Sequence, residues 1–402
     1  MKIYLIKASS GSDYSKYKAE TGGPPQNIFA AAAATPSHYQ VDMVDETIGM
    51  KTDFESNADL VVVFASTPDA YRAYEICSTF AEQGKTVVLG GLHTKFNQKE
   101  AAEYAHALIL GEVEHYWQTL LNDVLLGTLK DVYESNEPLD LSELNPYPTD
   151  IIKPSVYNYT WSVVVTRGCP FKCDFCLVHQ FFNKFQMRPI ENIVEELKHL
   201  KAIGVEWVEL HSDNLTHNRE YAIELFNAIA PIGLKFYGET TVLIARDEEL
   251  LQAAQKAGVK ALLLGIETPS AEALKASKKG FVKPDKMKEY LEIIKKYDIE
   301  VWGDFLFGFD EHTPNIFQET LDFINDIKVD KVIPHFMIPF PGSETFNRLE
   351  KDNRILTKDW SQYDGSHSVY QPKNMTVSEL EDGVYWIWKK TTSFVDRLKY
   401  IF

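Results

Sequence analysis

The stretch "TRGCPFKCDFC", Thr166 to Cys176, holds three of the four cysteines in a chain of 402 residues, Cys169, Cys173 and Cys176, with gaps of three and then two residues. Thiols crowded on one loop suit a centre that takes several soft ligands. Structural zinc wants four, and His179, just beyond the last cysteine, would complete a Cys3His set. An iron–sulfur cubane ordinarily takes one cysteine per iron, so three cysteines would leave one iron open to a substrate or cofactor. Spacing alone leaves both centres open. Position favours the cluster, because the loop leaves the first strand of an expected barrel at the C-terminal face, where barrel enzymes keep their chemistry. The fourth, Cys77, lies in a helical pattern and reads as a small buried apolar residue.

The elements that must position this loop follow a linker expected at 136–155, where Pro138, Pro146 and Pro148 break every regular pattern. From 156 to 340 we read six strands, "WSVVVTR", "WVELHS", "KFYGETTV", "KALLLGIE", "EVWGDFLFG" and "DKVIPHFMIP", separated by five helices. In the first helix Ile193, Val194, Leu197, Leu200 and Ile203 recur at helical spacing. Consecutive right-handed crossovers curl a parallel sheet into a barrel, and six units predict an open arc. Residues 341–402 are aromatic and irregular before a helix carrying Trp386 and Trp388, and read as a cap on the barrel mouth. Before the linker, residues 1–135 alternate four apolar runs ("KIYLIK", "DLVVVFAS", "TVVLGG", "ALILGE") with helical patterns, which predicts a doubly wound parallel sheet. The fold class is therefore α/β throughout.

Bulk properties narrow the setting. The chain is 45% hydrophobic, enough for sizeable cores, and its net charge of −17 would repel a phosphate backbone, so we expect no nucleic-acid partner. The N-terminal apolar stretch is too short for a signal peptide, and no window approaches a membrane span. The expected location is the cytoplasm, where thiols stay reduced.

Cys169, Cys173, Phe175 and Cys176 match the CxxxCxΦC motif of the radical S-adenosylmethionine (SAM) superfamily. "RGCPFKCDFC", "LLLGIET", "GDFLFGFDEHT", "PFPGSETF" and "DWSQYDGSHSVYQPKNMT" resemble, in order and spacing, the branch that carries an N-terminal cobalamin-binding domain. The resemblance implies a [4Fe-4S] cluster on the three cysteines, with SAM on its open iron and reductive cleavage to a 5′-deoxyadenosyl radical. It implies SAM contacts from Phe175, from Ser212, Asp213 and Asn214 where many members carry GGE, from Glu267, and from Leu306 and Gly308, with Asp304 replacing a glycine of the motif. In the first domain, "GGPPQNIFAAAAATP" and residues 84–121 resemble the cobalamin domain of that branch, which implies contacts from Pro25, Ser66, Thr67, Gly90, Gly91, His93, Gly111, Glu112 and Glu114. Gly90 and Gly91 would let a bulky ligand approach the backbone. The motif DxHxxG is absent, so we expect cobalt without a protein histidine beneath it and His93 as a loop hydrogen-bonder.

By the same resemblance the activity is methylation of an unactivated carbon, or of phosphorus, in a small-molecule substrate, with SAM both radical source and methyl donor and an external flavodoxin- or ferredoxin-type protein as electron donor. Cobalamin-dependent cyclisation or rearrangement is the alternative within the branch. A cobalamin carrier or sensor with a redox-silent cluster is the alternative outside catalysis. "HQFFNKF" (179–185) would suit an apolar channel or ordinary core packing, and Tyr237, His335 and His367 carry no assigned role. Anaerobic reconstitution is expected to give about four iron and four sulfide per chain. Alanine at Cys169, Cys173 or Cys176 should abolish SAM cleavage, and Cys77→Ala should leave the metal content unchanged, both read by iron analysis and 5′-deoxyadenosine chromatography.

Overall fold

The apolar runs of the first third become strands: β1 (Lys2–Lys7), β2 (Gln40–Asp45), β3 (Leu60–Phe64), β4 (Thr86–Gly90), β5 (Ala107–Leu110) and β6 (Val132–Glu134). The computed structural model describes residues 1–11, 23–135, 137–158, 160–182 and 184–392. The end of the expected cap, 393–402, lies outside them. These six strands form one parallel sheet in the order β2-β1-β3-β4-β5-β6. All five residues of β3 are apolar and buried, because a central strand covered on both faces has no solvent side to mark with polar residues. Two strands were not among the four expected. β2 is an edge strand, QVDMVD, whose first half stays partly open to solvent, and β6 is three residues long with only Tyr133 buried.

The second half forms β7 (Thr160–Val164), an antiparallel pair β8 (Thr166–Arg167) and β9 (Gln186–Met187), then β10 (Trp207–His211), β11 (Lys235–Thr240), β12 (Val259–Glu267), β13 (Glu300–Phe307) and β14 (Lys331–Phe336). The large sheet runs β14-β13-β12-β11-β10-β7, all parallel, and its end strands β7 and β14 do not pair. It is the open six-stranded arc that the sequence predicts. Period-two burial is clean in β13: Val301, Gly303, Phe305 and Phe307 are buried, while Trp302, Asp304 and Leu306 are half-buried. The helix Ile190–Ala202 buries Ile193, Leu197 and Leu200; Ile203 lies past its last residue and is 40% exposed.

The C-terminal region does more than cap the mouth. Its helix Val377–Thr391 buries Leu380, Val384 and Ile387 and packs against β14 and the helix Ile316–Ile327. It thus covers a sheet edge that no further crossover helix follows. Gly383 makes that approach possible, since a Cβ there would meet the Phe317 ring at 2.1 Å. Upstream, Trp360 donates its indole N–H to Glu100 at 3.0 Å and packs in the apolar cluster of the first sheet. The region therefore straps the two halves together.

Two further contacts join the sheets. Phe29, on the helix Gln26–Ala33, meets Trp161 of β7 edge to face at 5.4 Å, and the residues expected to be a linker pack beside them, with Leu139, Leu141, Tyr147 and Ile152 buried. Prolines broke the regular pattern there, but the segment is part of the core. Arg167, 4% exposed, donates to Glu112 at 2.7 Å and to Glu114 at 2.6 Å across the junction. Two carboxylates and one guanidinium held out of water are stable only as a set. Arg167→Met should therefore cost about 3–5 kcal/mol of unfolding free energy near neutral pH, measured by denaturant titration. Burial outweighs Arg167 and already holds Glu112 above the usual carboxylate range, and losing the arginine would raise it further. The folded variant then binds more protons than the unfolded chain, so its stability falls as pH rises, and its deficit against the parent should shrink on going to about pH 5.

Candidate functional site

The cysteine loop is built by its neighbours. Gly168 has φ +85°, and a Cβ there would meet the Lys184 carbonyl oxygen at 2.5 Å, so the chain turns into the loop only with glycine. The Gly168 N–H donates to Asp213 Oδ2 at 2.7 Å. Within the loop the Cys176 N–H donates to the Cys173 carbonyl at 3.1 Å, the Asp174 N–H donates to Ser277 O at 3.2 Å, and the Asp174 carbonyl accepts from Thr345 N–H at 3.1 Å. Three separate mouth segments thus hold it. All three thiols are free, Cys173 buried and the others half-buried. Burial pushes each thiol up, Cys173 to about 12, so a metal centre must displace their protons to bind. The nearby charge of Lys279 works in the thiolate's favour. Among the described residues no group of three or more His, Cys, Asp and Glu is gathered closely enough to chelate a single ion.

Two cavities open where the carboxyl ends of the two sheets face each other. The first, about 570 Å³, has walls from the first domain (Pro25, Ala30, Phe64, Gly91, Gly111) and from the cysteine loop (Phe175, Cys176, Leu177). Phe181 and Phe182 of "HQFFNKF" also line it; Asn183 is outside the described residues. The second, about 760 Å³, runs from Ser66 and Thr67 to Phe175, Glu267, Asp304, Leu306 and His335. Lys7, Leu92, Phe175 and Phe340 line both, so the two spaces adjoin. Lys7 ends β1, beside the strand-order reversal between β1 and β3 where open α/β sheets bind ligands. Its ammonium pairs with Asp69 at 3.1 Å. Burial would raise Asp69, but Lys7 and the bonds from Ser66 and Ser10 hold it below the usual carboxylate range.

Several expected contacts turn out to be engaged within the chain. Glu112 and Glu114 line the first cavity, but their charges are spent on Arg167. Gly90 and Gly91 answer to chain packing: a Cβ at Gly90 would meet the Phe64 ring at 2.9 Å, and one at Gly91 the Ala65 carbonyl oxygen at 2.4 Å. Only Gly111 matches the idea of open space, for a Cβ there meets nothing nearer than the Tyr116 hydroxyl at 3.7 Å. His93 lies in the helix Leu92–Phe96 and not in a loop, 1% exposed, hydrogen-bonded to the Tyr74 hydroxyl at 2.9 Å and packed on Trp360. Burial pushes it down to about 4. It lines neither cavity. At Gly308 the close neighbour is the chain's own Tyr370, whose hydroxyl donates to the Gly308 carbonyl at 2.6 Å.

On the second barrel strand's loop, Ser212 and Asn214 are buried. The Ser212 hydroxyl shares a hydrogen with Thr166 at 2.5 Å and accepts from the Asn214 N–H at 3.1 Å, while Asn214 Oδ1 accepts from Thr240 at 3.2 Å. With Asp213 they brace the cysteine loop and line neither cavity. Glu267 has φ +65° and an ion pair with Lys279, a partner that no sequence motif announced. His335 Nε2 stands 3.3 Å from Asp304 Oδ1; burial opposes its charge, but the carboxylate more than offsets it and raises the imidazole. Tyr237 is buried, its hydroxyl without a hydrogen-bond partner, and His367 pairs with Asp364 at 3.1 Å. Among the described residues no helix is long and apolar enough to cross a membrane.

Residues 163–324 match the sequence model of the Radical SAM superfamily. Two methyltransferases of Chlorobaculum tepidum align with 89% of the chain: bacteriochlorophyllide d C-12(1)-methyltransferase, 27% identical over 80% of its length, and bacteriochlorophyllide d C-8(2)-methyltransferase, 29% identical over 84%. Anaerobic magnesium-protoporphyrin IX monomethyl ester cyclase of Cereibacter sphaeroides is 25% identical over 82% of the chain and 59% of its own length. In fold, the chain superposes on the radical SAM methyltransferase TsrM from Kitasatospora setae, solved with cobalamin and a [4Fe-4S] cluster, with TM-score 0.74 at 14% identity over 98% of this chain and 89% of that one. It likewise superposes on the cobalamin-dependent SAM radical enzyme OxsB, with TM-score 0.73 at 13% identity over 100% of this chain and 70% of that one. A three-cysteine loop at the mouth of a six-stranded arc, facing a doubly wound sheet across two adjoining cavities, agrees with each of these likenesses, and residues 163–324 form a radical SAM domain.

Proposed function

We propose that the protein methylates an unactivated carbon of a small-molecule substrate. One observation carries the reading: the cysteine loop and the carboxyl-end loops of the first sheet form the walls of the same space, through Cys176, Phe175 and Gly111. The residues present fit the groups this chemistry needs. Cys169, Cys173 and Cys176 are free thiols on one braced loop, suited to three irons of a [4Fe-4S] cluster. Phe175, Glu267 and Leu306 line the cavity beside it and would hold SAM. Pro25, Gly111 and the apolar wall of the first cavity would hold the corrin, with Ser66 and Thr67 at its edge. Once bound, these groups supply hydrogen abstraction and a transferable methyl.

The chain's own part is to hold, orient and exclude water. Arg167 keeps the two walls in register, Phe181, Phe182 and Phe340 present apolar rings to the first cavity, and the His335–Asp304 pair provides a polar handle in the second. The reading also calls for an external one-electron donor and a reducing compartment such as the cytoplasm, where such thiols stay free. The similarity to the magnesium-protoporphyrin IX monomethyl ester cyclase supports a second reading, ring closure or rearrangement without methyl transfer.

Labelled SAM decides between them. With SAM labelled in its methyl group, cobalamin, a strong reductant and substrate, the product should carry one label per 5′-deoxyadenosine, with S-adenosylhomocysteine formed in equal amount. Deoxyadenosine carrying substrate deuterium, with no label in the product, would establish the second reading instead. Leaving out cobalamin should stop labelling while some SAM cleavage continues.

A further inference from the structure

Against a net charge of −17, one segment stands out. Residues 271–288 carry Lys275, Lys278, Lys279, Lys283, Lys286 and Lys288 against only Glu272 and Asp285. The sequence shows the lysines but not where they sit. In the fold this segment lies on the outer side of the cysteine loop: Phe281 stacks on Phe171 at 3.9 Å and 17°, and Ser277 accepts from the Asp174 N–H. Lys279 turns inward to Glu267, and Lys278, Lys286 and Lys288 have carboxylate partners. Lys275 and Lys283, with Lys172 of the loop itself, are exposed and have no ion-pair partner among the described residues.

The loop therefore has two faces with different access. Phe175 and Cys176 look into the cavities between the sheets, where bound cofactors and the first domain would block another protein. Phe171 and Lys172 are on the side that solvent reaches, Phe171 half-buried and Lys172 exposed. A half-buried aromatic pair, with the unpaired Lys172 next to Phe171 and the unpaired Lys275 and Lys283 on the segment that carries Phe281, matches the general design of an interface with an apolar centre and a charged rim. On an acidic molecule it attracts a negatively charged partner and orients it by this patch.

We infer that the Phe171–Phe281 stack and the rim of Lys172, Lys275 and Lys283 form the docking surface for an acidic one-electron carrier protein that reduces the cluster through the outer side of its loop. This rests on the radical SAM reading, which requires one electron per SAM cleaved. The balance is simple: the carrier loses one electron, the cluster gains it, and no proton or group moves. Electron transfer falls off steeply with distance, so the donor must approach on the side of the loop left open to it. An anionic lipid surface would also be drawn to lysines, but it carries no electron, and the patch lies at the one place where reduction is needed.

The test uses the full chain with its cluster reconstituted, and flavodoxin as an acidic FMN-protein probe. Lys275→Glu with Lys283→Glu removes two unpaired cations without touching the cysteine loop. Lys198→Glu with Lys260→Glu, two exposed lysines elsewhere, makes the same change in net charge. Calorimetric titration with oxidised flavodoxin at low salt should give affinity about tenfold or more weaker for the first pair and within about threefold of the parent for the second, with the difference collapsing at high salt. Flavodoxin-driven SAM cleavage should fall in parallel, while dithionite-driven cleavage holds. Equal weakening by both pairs, or unchanged affinity in the first, overturns the docking surface. So does a first pair that loses only its binding to vesicles of anionic lipid. Absence of dithionite-driven cleavage in the parent would instead overturn the radical reading.

Discussion

The pairing of Arg167 with Glu112 and Glu114 is the contact on which the rest of the site depends. Arg167 ends β8 and immediately precedes Gly168, where the cysteine loop begins, and its two partners sit on the loop that follows β5 of the other sheet. Three charged groups out of water tolerate little displacement, because both carboxylates depend on the one guanidinium and losing it leaves them unpaired in a medium that solvates them poorly. Packing by Phe29 and Trp161 brings the sheets together, but apolar contact alone is permissive about angle and register. The ion set adds direction, and it acts at the point where both cavities take their shape.

Around that junction the chain repeatedly spends its special residues on itself. Gly91 admits the Ala65 carbonyl, Gly308 the Tyr370 hydroxyl and Gly383 the Phe317 ring. Each allows two segments to approach more closely than a Cβ would permit. His93 is likewise a core residue bridging Tyr74 and Trp360. The consequence is a rigid frame with little free polar surface in the first cavity, whose walls are mostly apolar. The polar groups collect in the second, where Lys7–Asp69 and Lys279–Glu267 form ion pairs and His335 hydrogen-bonds to Asp304. Such a division suits a large apolar group on one side and a charged one on the other.

Local pattern determined much of this in advance. The spacing of Cys169, Cys173 and Cys176 announced a loop of three neighbouring thiols, and β-strand periodicity announced the six strands of the arc, because both are properties of residues near in sequence. Long apolar runs marked β1, β3, β4 and β5 for the same reason, while β2 and β6 escaped because an edge strand and a three-residue strand carry too little apolar signal. Gly90 and Gly91 were legible as points of close approach, but whether a ligand or the chain itself does the approaching depends on Phe64 and Ala65. Sequence distance hides such partners.

The tertiary structure alone decided who pairs with whom. Arg167 lies 55 positions from Glu112, Trp360 lies 260 from Glu100, and Asp304 lies 31 from His335. No short-range rule links these residues. The sequence by itself determined the chemistry on offer, namely three thiols on a loop after a strand, a parallel arc and a second parallel sheet before it. Which carboxylates remain free for a ligand, which face of the cysteine loop is open and which lysines gather beside it were decided only when the two sheets docked, because charge and access belong to surfaces and not to segments.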